Sequence, residues 1–156
     1  MGFRFEDITD SIKQLQAQGI LISKLQVSAA LKITGIPTEL EAFCDPVYLH
    51  QTRQRDARGG ILAYPDLPAA LKVPCASDTE TRTHFHVPLY FEKQGNLSST
   101  TDLLSRDFFQ TVFQTGCHHV EIETYTYDVL PDAYKEYGIV RSICREYQWL
   151  LERMGR

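Results

Sequence analysis

The sequence predicts an α/β fold in which strands alternate with helices, on three observations. Apolar runs of strand length recur at 20–28, 83–91 and 118–127. Between and beside them lie stretches with apolar residues at helical spacing. Glycines stand where helices should stop, Gly19 after the first and Gly116 after the second. Strands joined through helices imply right-handed crossovers and a parallel sheet. The whole of 1–156 reads as a single domain.

Element by element, a helix over 5–18 carries Ile8, Ile12 and Leu15 on one face, and the strand 20–28 follows. Ala29-Ala-Leu-Lys suits a helical turn, and Thr38 is placed to cap a short helix. The runs 47–53 and 60–64 flank a polar, glycine-ended loop, Gln54-Arg-Asp-Ala-Arg-Gly. That is the pattern of an inserted β-hairpin over about 47–64. Leu67-Pro-Ala-Ala-Leu forms a short helix, and the strand 83–91 comes next. A helix over 98–115 uses Leu103, Leu104, Phe108, Val112 and Phe113 as its apolar positions. The strand 118–127 and a long amphipathic helix over 137–154 complete the series. In that last helix Ile139, Val140, Ile143, Tyr147, Leu150 and Leu151 are the apolar positions.

Composition excludes several classes. With 43% apolar residues, 16 basic against 20 acidic side chains and no basic stripe, the chain lacks the footprint of a nucleic-acid binder. No run approaches the roughly 20 apolar residues that span a bilayer, so no transmembrane segment is expected. The charged start lacks the apolar core of a signal peptide, and a cytoplasmic protein is the expectation. Cys44, Cys75, Cys117 and Cys144 form no close pair, which suits reduced, mostly buried thiols.

Side chains alternate faces along a strand, and here that split is informative. In the first strand Leu25 and Val27 oppose Lys24, Gln26 and Ser28. In the second, Phe85 and Val87 oppose His84 and His86. The third sets Val120, Ile122 and Thr124 against His119, Glu121, Glu123 and Tyr125. Parallel strands are usually apolar on both faces. Buried charge is costly unless paired or bound to metal, so shared polar faces suggest strands lining one polar interior. The lumen of a (β/α)₈ (TIM) barrel accounts for that, and 156 residues hold three of its βα units.

Barrel sites lie at the C-terminal ends of strands, where His86, Glu123 and Gln26 fall. His84 and Glu121 sit one layer deeper, with Lys24 on the same face, as supporting groups. Imidazole and carboxylate suit Zn²⁺, Mn²⁺, Fe²⁺, Co²⁺ or Mg²⁺ without choosing among them. Either motif alone is a weak signal, because half-exposed histidines or a solvent-facing edge strand give the same spacing. Tyr125 and Tyr127 follow at the strand exit, where a substrate wall and packing under Leu130-Pro131 are both open. Cys117-His-His119 precedes its strand and belongs to the opposite, structural end. His50 falls in the hairpin and is expected to be solvated. Arg53, Arg55 and Arg58 form a small basic cluster, open to a solvated loop or an anion contact from a lid, and Arg82 is a salt-bridge position.

At these residues the chain resembles a known family. His84-Phe-His86 is similar to the H-x-H strand of xylose-isomerase-like barrels, including the ketose 3-epimerases, whose second histidine binds a divalent metal. The resemblance implies that role for His86. It also implies that Glu123, matching the glutamate on their closing strand, binds the same metal. In the related endonucleases His84 would stand where an aspartate does and Gln26 where a histidine ligand does, which argues against a full multi-metal cluster. Longer segments, Thr83-His-Phe-His-Val-Pro-Leu-Tyr-Phe, His119-Val-Glu-Ile-Glu-Thr-Tyr-Thr-Tyr-Asp-Val-Leu-Pro and Lys24-Leu-Gln-Val-Ser-Ala-Ala-Leu, resemble the C-terminal part of the Ebo metabolite-traffic protein E family. That family implies a role in moving secondary-metabolite precursors to the cell exterior, beside other Ebo proteins.

The resemblance implies the C-terminal three βα units of a barrel, a fragment completed by an N-terminal half or a complementary chain. The expected function is divalent-metal-dependent isomerase or epimerase chemistry on a small polar, sugar-like or hydroxylated metabolite. Glu123 would be a metal ligand with some base character, Tyr125 a substrate contact, and the isolated chain inactive. The alternatives are a non-enzymatic metabolite carrier and an inactive remnant that binds another protein.

Overall fold

The structure is a computed structural model that describes residues 2–155 apart from 92, 124–126, 133, 134, 136 and 137. It is a mixed α/β fold with two separate sheets. The elements run α1 (Ile8–Ala17), β1 (Leu25–Val27), β2 (Ala29–Thr34), β3 (Thr52–Arg55), β4 (Ile61–Tyr64), α2 (Leu67–Leu71), β5 (Glu80–Val87), β6 (Leu97–Ser99), α3 (Arg106–Gln114), β7 (Val120–Ile122) and α4 (Gly138–Met154). β1 and β7 form a parallel pair, and an antiparallel sheet has the order β4-β3-β5-β2-β6. Among the described residues the strands close no barrel.

The β1–β7 pair has the parallel direction expected from the sequence, with Gln26 in register with Glu121, although the whole antiparallel sheet lies between the two strands in the chain. The histidine strand does not. β5 is paired antiparallel with β2 on one side and β3 on the other, not parallel to the Lys24 strand. The reason lies in Ala29–Thr34, which is a strand rather than the helical turn its Ala-Ala-Leu-Lys start suggests. Ala29, Ala30, Leu31 and Ile33 are all buried, and burial on both faces outweighs local helix propensity. Only Ser28 separates β1 from β2, so the chain passes from one sheet to the other within a single residue.

Other boundaries shift for local reasons. α1 starts late because Asp7 caps it, its carboxylate accepting the Thr9 and Asp10 N–H groups at 2.9 Å. Gly19 follows the end of α1 at φ +71°, a conformation that favours glycine. The strand expected over 20–28 shrinks to three residues, because among the described residues β1 finds a partner only in β7, and Leu21 is 89% exposed. β5 begins at Glu80 and ends before Pro88, which has no N–H for a ladder. The expected helix over 98–115 divides into β6, a 3₁₀ turn (Thr100–Leu103) and α3. Ser105 starts α3 by accepting the Phe108 N–H at 3.1 Å. Thr38–Phe43 is a 3₁₀ helix in which Thr38 makes no cap. The hairpin is present as β3–β4 and is joined to the main sheet through β3. The third strand is Val120–Ile122, with 124–126 outside the described residues, as is 137 before α4.

One face of the antiparallel sheet packs Phe85 edge-on to Phe43, their centroids 5.2 Å apart, within a core that includes Leu31, Ile33, Leu40 and Leu67. The opposite face is charged, and residues 2–5 lie across it. Phe5 is held between the Arg55 and Arg82 guanidinium groups at 4.3 and 4.2 Å from its centroid. Glu80 bridges the same two arginines at 2.9 and 2.7 Å. The four cysteines are free, and Cys44 and Cys144 are exposed, contrary to the expectation of mostly buried thiols. Among the described residues no helix is long and apolar enough to cross a membrane.

α4 buries Leu150 as expected but is turned away from most of its expected apolar face. Ser142, Glu146 and Leu150 are its buried positions, while Ile139, Val140, Tyr147 and Leu151 are exposed, Val140 by 73%. Past Pro88 the chain needs an acceptor for the Leu89 N–H, and the Glu146 carboxyl supplies it at 3.0 Å. Ser142 hydrogen-bonds the Tyr90 hydroxyl at 2.7 Å. Burial pushes the Glu146 carboxyl up to about 7 from its ordinary 4.5, against the opposing effect of the Leu89 N–H. Between those pH values the folded chain keeps a proton that the unfolded chain has released, so stability falls as pH rises through that window. The Glu146→Gln variant should retain the acceptor and lose this slope, gaining on the order of 3 kcal/mol above pH 7. Urea unfolding at pH 5 and pH 8 measures it; parallel pH trends in the two proteins would refute it.

Candidate functional site

The alternation of β5 sends Phe85 into the core and puts His84 and His86 on the face covered by residues 2–5. His86 is 4% exposed and its ring lies 4.7 Å from that of His84. Phe3 stacks on His84 at 4.7 Å with planes 8° apart. Both imidazoles line a cavity of about 400 Å³, together with Lys24, Gln26 and Ser28 from the β1 segment and Thr100. Its other walls are apolar: Ile8, Ile12 and Leu15 of α1, and Phe108 of α3 with Leu103 and Leu104 before it.

β7 brings the carboxylate. The Glu123 N–H donates to the Val27 carbonyl at 3.0 Å, extending the parallel pairing by one residue. Its Oε2 then stands 3.5 Å from His86 Nδ1. Burial pushes His86 down to about 4, with the neighbouring His84 and His50 adding, and burial also lowers His84. Both imidazoles are therefore neutral at pH 7, the form in which a histidine binds metal. Glu121 takes a different place from Glu123. It is partly exposed, salt-bridged to Lys24 at 2.9 Å and to His119 at 3.1 Å, and these hydrogen bonds hold its carboxyl below the usual range. Lys24 thus links Glu121 to the cavity, and Glu121 itself is not among its lining residues.

Among the described residues no group of three or more His, Cys, Asp or Glu is arranged to hold a metal ion. His86 and Glu123 meet as a pair. Tyr125 lies outside the described residues. Tyr127 lines a small pocket with Glu123, Leu130 and Glu146, and its hydroxyl donates to the Lys135 carbonyl at 3.4 Å. His118 stacks on Phe113, and Cys117 is buried beside it, away from the cavity.

Two expectations fail here. His50 is 4% exposed, because its ring packs 4.7 Å from Phe85 and its Nδ1 lies 3.2 Å from the His84 carbonyl. Arg53 and Arg55 belong to β3 rather than to a solvated loop, and they engage Phe3, Phe5 and Glu80. Phe3, which covers His84, and Glu146 were not singled out in the sequence. Phe3 lies outside any periodic element, and the only trace of Glu146 is its i, i+4 spacing from Ser142 and Leu150. No family model, no curated protein and no solved structure matches the chain.

If the stacked ring of Phe3 is what shields His84, Phe3→Ala should raise the His84 imidazole pKa toward its ordinary value. An NMR titration of the imidazole nitrogens reads this directly, and an unchanged midpoint would assign the shielding to other neighbours.

Proposed function

We propose that this chain is the ligand-bearing part of a xylose-isomerase-like barrel protein of the Ebo metabolite-traffic type. In this reading it binds a small hydroxylated metabolite beside a divalent metal and performs isomerase or epimerase-type chemistry. The parallel β1–β7 pair belongs to the barrel wall, and the antiparallel sheet holds His84 and His86 against it. Further βα units supply the remaining acidic and histidine ligands, as in the barrels the chain resembles.

The observation that carries the metal assignment is the 3.5 Å separation of His86 Nδ1 and Glu123 Oε2. Two donors that each stand about 2.1 Å from one tetrahedral ion are about 3.4 Å apart. His86 is neutral at pH 7, so no proton competes for it. A bound divalent ion would supply Lewis-acid polarisation of a substrate oxygen. The chain's own groups orient the metabolite: Gln26 and His84 offer hydrogen bonds from the cavity wall, and Phe3 excludes water from His84. Salt-bridged to Glu121, Lys24 adds a third polar group on the same wall.

The apolar share of the cavity favours a second reading, a carrier that holds the metabolite without turnover. Ligand retention after chelation separates the two. For the metal itself, the purified chain titrated with Co²⁺ should develop visible absorption of a histidine–carboxylate complex. His86→Ala and Glu123→Gln should each weaken that binding by at least about tenfold. Absent absorption, or equal affinity in both variants, would remove the metal from the proposal.

A further inference from the structure

The cavity has two unlike walls. The strand wall carries Lys24, Gln26, His84 and His86, whereas every lining residue contributed by α1 and α3 is apolar. Lys24 is the one lysine or arginine among the lining residues, and its charge is already matched by Glu121 at 2.9 Å. A phosphate or carboxylate entering there would meet no unmatched lysine or arginine. A polyol would fare little better, because most of its hydroxyls would be desolvated against Ile8, Ile12 and Phe108 without partners. A ligand with one polar end and an apolar body satisfies both walls at once.

We infer that the cavity takes a metabolite with a mainly apolar skeleton and an uncharged hydroxyl or carbonyl head, rather than a free sugar or a sugar phosphate. The head rests on the Gln26 and His84 side, and the skeleton lies against α1 and α3. This rests on the reading above that the cavity is the ligand site, and it narrows that reading to one substrate class. It does not depend on which metal, if any, sits at His86 and Glu123.

Isothermal titration calorimetry of the purified chain against 1-naphthol, D-fructose and D-fructose 6-phosphate, with and without Mn²⁺, tests it. 1-Naphthol should bind at least about a hundredfold more tightly than either sugar. Leu15→Trp fills the helix wall and should weaken 1-naphthol about tenfold while leaving the Co²⁺ absorption in place. Gln26→Leu removes a partner of the head and should also weaken it by about tenfold, without touching the apolar wall. It decides the matter if Leu15→Trp does not fold. Sugar binding as tight as that of 1-naphthol would overturn the inference, and so would 1-naphthol affinity unchanged in the folded variants. Co²⁺ binding together with a preference for sugars would sink the inference alone. Absent Co²⁺ binding with 1-naphthol held in the cavity would sink the metal assignment alone.

Discussion

The antiparallel ladder between β2 and β5 is the interaction on which the rest of this structure depends. It joins Ala29 to Val87 and Ala30 to His86, slips register between Ala30 and Leu31, and continues to Thr34 and Glu80. A bulge of this kind increases local twist and re-aims the side chains beside it. Here the slip lies at the register position of His86, next to the cavity that His86 lines. β3 and β6 add to the outer sides of the same two strands. Loss of the ladder would separate the histidines from the segment that carries Gln26 and Ser28.

Electrostatics on the charged face follow from that placement. Arg55, Glu80 and Arg82 are brought together by strand register, and the row would face solvent without Phe5 over it. Phe5 adopts φ +64°, a backbone conformation costly for an aromatic residue. Two guanidinium contacts hold it there, and the Gly2 carbonyl accepts a hydrogen bond from Arg82. Residues 2–5 are fastened by aromatic and cationic contacts rather than by a long helix, and the cover on His84 comes from this arrangement.

Much of the local order was legible in the sequence. The alternation His84-Phe85-His86-Val87 announced which residues would face the core, since apolar and polar side chains take turns there. Gly19 and the Asp56–Gly60 turn of the hairpin were equally readable, whereas the direct pairing of the Gln26 strand with the Glu121 strand was not, because the sequence order sets the histidine strand between them. β2 was hidden because Ala, Leu and Lys favour helix, and burial between long-range partners, β5 on one side and β6 on the other, overrides that preference. Glu146 was hidden because a carboxylate on an amphipathic helix is expected to face water. What reverses it is a need created elsewhere, the unpaired Leu89 N–H after Pro88. His50 was misjudged for a similar reason: Phe85, 35 residues away in the chain, buries it. The candidate site divides the same way. Lys24, Gln26, His84 and His86 could be grouped from strand periodicity, while their apolar counter-wall arises from two helices whose meeting is a tertiary event.

The single-residue step at Ser28 has a mechanical consequence. β1 belongs to the parallel pair and β2 to the antiparallel sheet, so on this side the chain joins the two sheets through one residue rather than through a linker. Gln26 and Ala30 lie on opposite arms, each two residues from it, and both border the cavity. Rotation about the Ser28 dihedrals therefore changes the angle between the arms, and with it the width of the space between them. A substitution that fixes the Ser28 dihedrals would therefore fix the spacing between Gln26 and Ala30 on that side of the cavity.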